Sequence, residues 1–266
     1  MNIWEEAIKY LTDLGVSRGL AIAYLIVGAL LVVMAIVAFI MWIRVFITYN
    51  VTNAKKTSSG KTSFEVAREA LDKNGLQHIK VKKAGFFRAL FIGNCYSITR
   101  KTVYLRRGIA NKDSITAVGM ALQKVGIAKM CESGSKTARV RNSLQIVGLF
   151  GPVLFIPIVL IGALVDYLLF STFGTFSFVA IAIGLAIVIA SFVVTLLNIP
   201  VERKAGQMAL KMIEESHILN QEEIELVKKV FKAYIIAYVC DFIVSLLRMI
   251  QIVLEIVMNI QINNKN

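Results

Sequence analysis

Three positions in the stretch Ala121–Ala128 have the spacing of a helical zinc site and none of its chemistry. In an H-E-x-x-H helix, two histidines at i and i+4 share one face and bind Zn²⁺, and the glutamate after the first acts on the metal-bound water. Gln123, Lys124 and Ile127 stand at the three corresponding places. A neutral amide is a poor zinc ligand and an isoleucine is none. An ammonium with an ordinary pKa near ~10.4 neither accepts a proton at neutral pH nor tolerates a neighbouring dication. The expectation is a helix without catalytic residues, metal ligands or cofactor.

The flanking residues give that spacing its meaning. Ser58–Ser59–Gly60, Thr62, Glu65–Val66–Ala67–Arg68, Leu71 and Asn74–Gly75–Leu76 form one set; Tyr96 and Thr102–Val103–Tyr104–Leu105 form a second; Ile199–Pro200–Val201–Glu202–Arg203–Lys204–Ala205 forms a third. In this order the chain resembles the bacterial membrane-embedded neutral zinc metallopeptidases over nearly its whole length. The first set resembles the entry to their soluble domain, the second their strand before the metal helix, and the third their P-V-E-x-x-A segment. The resemblance implies a zincin-like fold in which Glu202 is the surviving third ligand and Gln123, Lys124 and Ile127 are degenerate active-site positions. It also implies that the two helices face one another. Lys124 is then expected to approach Glu202 and replace the charge of the missing ion, because a buried carboxylate without a cation is costly.

The elements around these residues belong to a membrane protein. Hydrophobic residues make up 57% of the chain and the mean hydropathy is +0.68, well above a soluble globule. Leu20–Ile43, Ile146–Val165 and Phe178–Leu197 are uncharged runs of 24, 20 and 20 residues, each able to cross a hydrocarbon core of roughly 30 Å. Ala233–Ile260 is a fourth candidate that carries Asp241, Arg248 and Glu255, seven residues apart and so near one helical face. The first run is too long for a signal peptide, and its basic flank follows it rather than precedes it.

Charge orients the chain. Residues 51–145 hold 19 Lys/Arg against 5 Asp/Glu, although the whole protein carries only +13. Arg44, Lys55–Lys56, Arg139, Arg141 and Arg203–Lys204 flank the spans on one side, which the positive-inside rule assigns to the cytoplasm. Cys95, Cys131 and Cys240 lack C-x-x-C spacing, consistent with a reducing compartment rather than a disulfide framework. The expected location is the bacterial plasma membrane with a cytoplasmic soluble body.

The fold class expected is an α+β membrane protein: three to four transmembrane helices with a zincin-like, mainly helical cytoplasmic body containing a small β element. Its segments are an interfacial N-terminal helix (1–19), a first span (20–48), a basic region with the degenerate motif (49–145), a second span (146–169) and a third (177–198). Cytoplasmic helices (199–232) complete the body, and a C-terminal membrane or interfacial helix (233–260) follows. Thr62–Glu65 and Asn220–Glu223 have the capping-box pattern of helix starts. His78–Lys82 and Thr102–Arg106 alternate apolar and polar residues as half-exposed strands do.

The remaining chemistry is sparse. His78 and His217 are the two histidines, and neither has a partner at helical metal-site spacing. Gly60–Lys61–Thr62 lacks the earlier glycine and leading strand of a phosphate loop. Asp241, Arg248 and Glu255 read as a structural set ahead of an ion pathway, and Asp166 as a residue at the far water boundary. The basic surface suits anionic lipid headgroups; nucleic acid fits poorly, since no recognition motif is present. The function expected is that of a non-catalytic pseudoprotease that binds, scaffolds or regulates a membrane protein, such as an active relative. The alternatives are an active membrane zinc metallopeptidase with an atypical ligand set, and a lipid-surface-binding or ion-conducting membrane protein.

Overall fold

Local signals start the elements, and long apolar runs extend them. The structure is a computed structural model that describes residues 2–170 and 174–263. In chain order it contains α1 (Ile3–Asp13), α2 (Arg18–Asn53), α3 (Ser63–Lys73), β1 (Lys80–Lys83), α4 (Phe86–Phe91), β2 (Cys95–Ser97), β3 (Thr102–Leu105), α5 (Arg107–Ala110), α6 (Ile115–Glu132), α7 (Lys136–Ser143), α8 (Gln145–Phe170), α9 (Thr175–Ser216) and α10 (Gln221–Asn263). The Thr62–Glu65 capping box starts α3, with Thr62 N–H donating to the Glu65 carboxylate at 2.8 Å. Asn220 and Glu223 exchange the same reciprocal bonds at the start of α10, each 2.9 Å.

Among the described residues, four helices are long and apolar enough to cross a membrane: α2, α9, α10 and, over at least Val153–Phe170, α8. The 42 residues of α9 extend about 63 Å at 1.5 Å per residue, roughly twice a hydrocarbon core. One half can therefore lie in lipid while the other continues, without a break in the helix, into the main core. Pro200, which offers no N–H to the helix ladder, lies near the middle. At the other end of this hairpin, the Asp166 side chain is buried against the start of α9. Its carboxylate accepts from the N–H groups of Gly174, Phe176 and Ser177 and from the Ser177 hydroxyl, so it caps α9. Of the loop at 172–175, which the placement of charge assigns to the outer side, residues 172 and 173 lie outside the described residues.

The chain forms two compact units. The larger, Arg44–Tyr238, contains a three-stranded sheet and the helices packed on it. Its sheet has the order β1-β3-β2, with β1 parallel to β3 (Val81 opposite Val103) and β2 antiparallel to it (Tyr96 opposite Val103). The sequence pattern marks β3 as half-exposed, but all four of its residues are buried. As the central strand it is covered on one face by the main core and on the other by Ala84, Cys95, Ala89 and Ile92, which pack around Tyr104. The main core joins Val66 and Leu71 of α3, Val103 and Leu105 of β3, most of α6, Val201, Ala205 and Ile213 of α9, and Val227 and Phe231 of α10. Within it α6 is buried on nearly every side.

The smaller unit comprises the residues up to Ile43 and those from Val239 onward. Here α2 and the residue before it are joined to α10 by polar bonds: Trp42 Nε1 donates to Asp241 at 3.1 Å, Tyr24 Oη to Glu255 at 3.1 Å, and Ser17 N to Gln261 at 2.9 Å.

Candidate functional site

The Ser114 side chain, accepting from Ala117 N–H, caps α6 and starts the helix directly after β3 and α5. Three turns on, Gly126 lets α6 pack onto the backbone of α9. A Cβ there would stand 2.9 Å from the Ala205 carbonyl oxygen and 3.3 Å from Met208 Cβ. This close approach brings the Gln123–Ile127 segment against the helix bearing Glu202. All the motif positions are enclosed, with Gln123 3%, Lys124 6%, Ile127 1% and Glu202 1% exposed.

The approach of Lys124 to Glu202 is direct. Lys124 Nζ lies 3.3 Å from both carboxylate oxygens. A second cation joins them, since Arg141 Nη2 donates to Glu202 Oε1 and its Nε donates to Asn198 Oδ1 at 2.7 Å. Asn198 lies one turn before Glu202 on α9, so the guanidinium is held along that helix. Arg141 arrives from α7, a short helix capped by Ser135 and anchored by buried Ala138. The sequence shows Arg141 only as a basic residue flanking a span; nothing in its type or spacing marks it as buried.

Two cations therefore share one carboxylate away from water. Burial pushes the Lys124 ammonium below the usual lysine range. Glu202 pulls it back toward the charged form, and the Arg141 charge adds to the lowering. The planar guanidinium of Arg141 reaches both Glu202 and Asn198, whereas the Lys124 ammonium bonds Glu202 alone.

Zinc does not fit this donor set. Glu202 is the one residue among the four motif positions with a good zinc-ligand group, and its oxygens are taken by an ammonium and a guanidinium. An amide and a hydrocarbon stand where nitrogen ligands are required. Among the described residues, no three His, Cys, Asp or Glu side chains gather as a metal site.

The other polar sequence positions are brought together elsewhere. Glu132, at the end of α6, accepts from Tyr96 Oη at 2.6 Å and Lys101 Nζ at 2.6 Å, and lies 3.4 Å from His78 Nε2. Burial alone would raise its pKa, but the bonds from Lys101, Tyr96 and His78 prevail and hold it at about 2. His217 is exposed and ends α9 in a left-handed conformation. Asp241 and Glu255 are bonded to Trp42 and Tyr24, whereas Arg248 is exposed. Beside the cluster, a cavity of about 250 Å³ is lined by Arg88, Cys95, Tyr96, Asn142 and Gln145 among others. Burial pushes the Cys95 thiol up, partly opposed by Arg88, Lys124 and Arg141.

Comparison with known proteins matches residues 27–257 to the family described as "Putative neutral zinc metallopeptidase". A curated relative, the "Putative membrane protease YugP" of Bacillus subtilis (strain 168), is 28% identical over 203 residues, covering 75% of this chain and 82% of that protein. No solved structure matches.

Proposed function

This chain belongs to the neutral zinc metallopeptidase family, and from that membership we propose that it is a non-catalytic member, a pseudoprotease that binds, scaffolds or regulates another membrane protein. The observation that carries the reading is the Lys124–Glu202–Arg141 cluster. The glutamate expected to face the metal is instead neutralised by two side chains, and the supply of water-activating and metal-binding groups around it is gone. A carboxylate enclosed in this way has little capacity to bind an external cation. Retention of a close-packed α6 and α9 without the ligands favours a role for the body's shape over one for its chemistry.

In this proposal the body is zincin-like and lies on the cytoplasmic side of the bacterial plasma membrane. The basic charge of residues 51–145 supports that orientation and an association with anionic headgroups. The natural partner class is a membrane protein, an active relative included. The bonds of Asp241 to Trp42 and of Glu255 to Tyr24 favour a structural role for those charges over an ion pathway.

The test is elemental analysis of the detergent-purified chain after exposure to zinc and removal of loosely held metal, together with digestion of an unfolded protein substrate. Substoichiometric zinc and no cleavage are expected. One tightly held zinc per chain, lost in Glu202→Ala, would replace this reading with that of a peptidase using an atypical ligand set.

A further inference from the structure

The six residues of α4 fold with their larger apolar side chains turned outward. Phe86, Phe87, Leu90 and Phe91 occupy adjoining positions of the helix and are 73%, 75%, 58% and 48% exposed. The inward positions hold smaller or polar groups. Ala89 packs into the cluster around Tyr104, and the Arg88 guanidinium lies 3.9 Å above the Tyr104 ring. This inverts the usual surface helix, whose apolar face meets the core. Four large apolar side chains together on one short helix are a contiguous patch of the kind that marks a contact with lipid or protein.

Its neighbours identify lipid. The Phe91 ring packs on Phe150 of α8, with centroids 5.6 Å apart. Phe150 lies four residues after the start of the uncharged run Ile146–Val165, a rise of about 6 Å along the helix. A run of that length covers a hydrocarbon core of roughly 30 Å, so Phe150 lies close to its edge. On the same helix as Phe150, Ile146 and Leu149 are also large apolar residues left exposed. Lys82 and Lys83, both exposed, immediately precede it and complement anionic headgroups. An outward aromatic and aliphatic face bordered by lysines is the composition of an interfacial segment.

We propose that α4 is a lipid-inserting segment: Phe86, Phe87 and Leu90 enter the leaflet in which α8 begins, while Lys82 and Lys83 lie against anionic headgroups. The soluble body is thereby held to the bilayer at a point far in sequence from α9, and one wall of the 250 Å³ cavity, formed by Arg88 and Ile92, is held at the membrane surface. The proposal deepens the headgroup association in the proposed function and is independent of the loss of zinc chemistry.

The experiment uses the full chain with its three cysteines replaced, carrying Phe87→Cys labelled with a polarity-sensitive fluorophore and reconstituted in vesicles of phosphatidylcholine and phosphatidylglycerol. Leu90→Cys is a second position should the first disturb folding, and Glu69→Cys on α3, a partly exposed position far from the patch in sequence, is the reference. Blue-shifted emission, quenching by lipids spin-labelled high on the acyl chain, and protection from an aqueous quencher are expected at 87 and 90 but not at 69. Aqueous quenching at 87 and 90 equal to that at 69 would overturn insertion. Protection from both quenchers would overturn it as well, in favour of a protein contact. Lipid quenching unchanged in purely zwitterionic vesicles would support insertion and overturn the part assigned to Lys82 and Lys83.

Discussion

Lys124 and Glu202, 78 residues apart in the chain, meet with the ammonium 3.3 Å from both carboxylate oxygens, in a core that leaves their side chains only 8% and 1% exposed. Arg141 shares the same carboxylate, which makes the three positions unequal.

Removing Glu202 leaves two buried cations facing each other, removing Arg141 leaves the weaker lysine pair, and removing Lys124 leaves the Arg141 pair intact. Glu202→Ala is therefore expected to be the most destabilising substitution and Lys124→Met the least, with the first on the order of 3–5 kcal/mol. Thermal unfolding in detergent would rank them. The Lys124→Met/Glu202→Ala double variant should be less harmed than the sum of the singles, because the lost contact is counted twice there. Strict additivity, or equal losses at all three positions, would remove the basis for the cluster as a unit.

Gly126→Ala sets two effects against each other. Helix propensity favours alanine by up to about 1 kcal/mol, but the new Cβ would stand 2.9 Å from the Ala205 carbonyl oxygen. A backbone oxygen cannot rotate away, and overpacking costs about 1–3 kcal/mol. The net expectation is destabilisation, measurable as a lower unfolding temperature; a more stable variant would mean that α6 and α9 are not in close contact.

Acid should weaken the Glu132 cluster. The folded pKa of about 2 lies below the ordinary 4.5, so the folded state binds fewer protons between those values. Its contribution is complete above about pH 4.5 and is lost as pH falls toward 2. Glu132→Gln should be less stable at neutral pH and show a flatter stability profile between pH 5 and 3, followed by circular dichroism. Parallel profiles for the two proteins would assign the acid sensitivity elsewhere.

Orientation is checked by cysteine labelling in intact cells. With the native cysteines replaced, a membrane-impermeant maleimide should modify Thr175→Cys, at the exposed start of α9, and spare Ser135→Cys in the basic body. The opposite pattern would place the body outside.

The sequence alone was sufficient wherever a property is local. A run of 20 uncharged residues has the length to span a membrane whatever its neighbours, and the Thr62–Glu65 and Asn220–Glu223 pairs start helices through bonds within one turn. Gln123 and Ile127 are poor zinc donors by residue type alone. The tertiary structure decided what depends on distant segments meeting. Arg141 and Arg139 have the same side chain, yet one enters the core to hold Glu202 while the other donates to the Cys131 carbonyl, because α7 turns only one of them toward α9. The burial of β3 on both faces and the outward phenylalanines of α4 have the same origin: residue pattern encodes which faces differ, and packing selects the surface that each face meets.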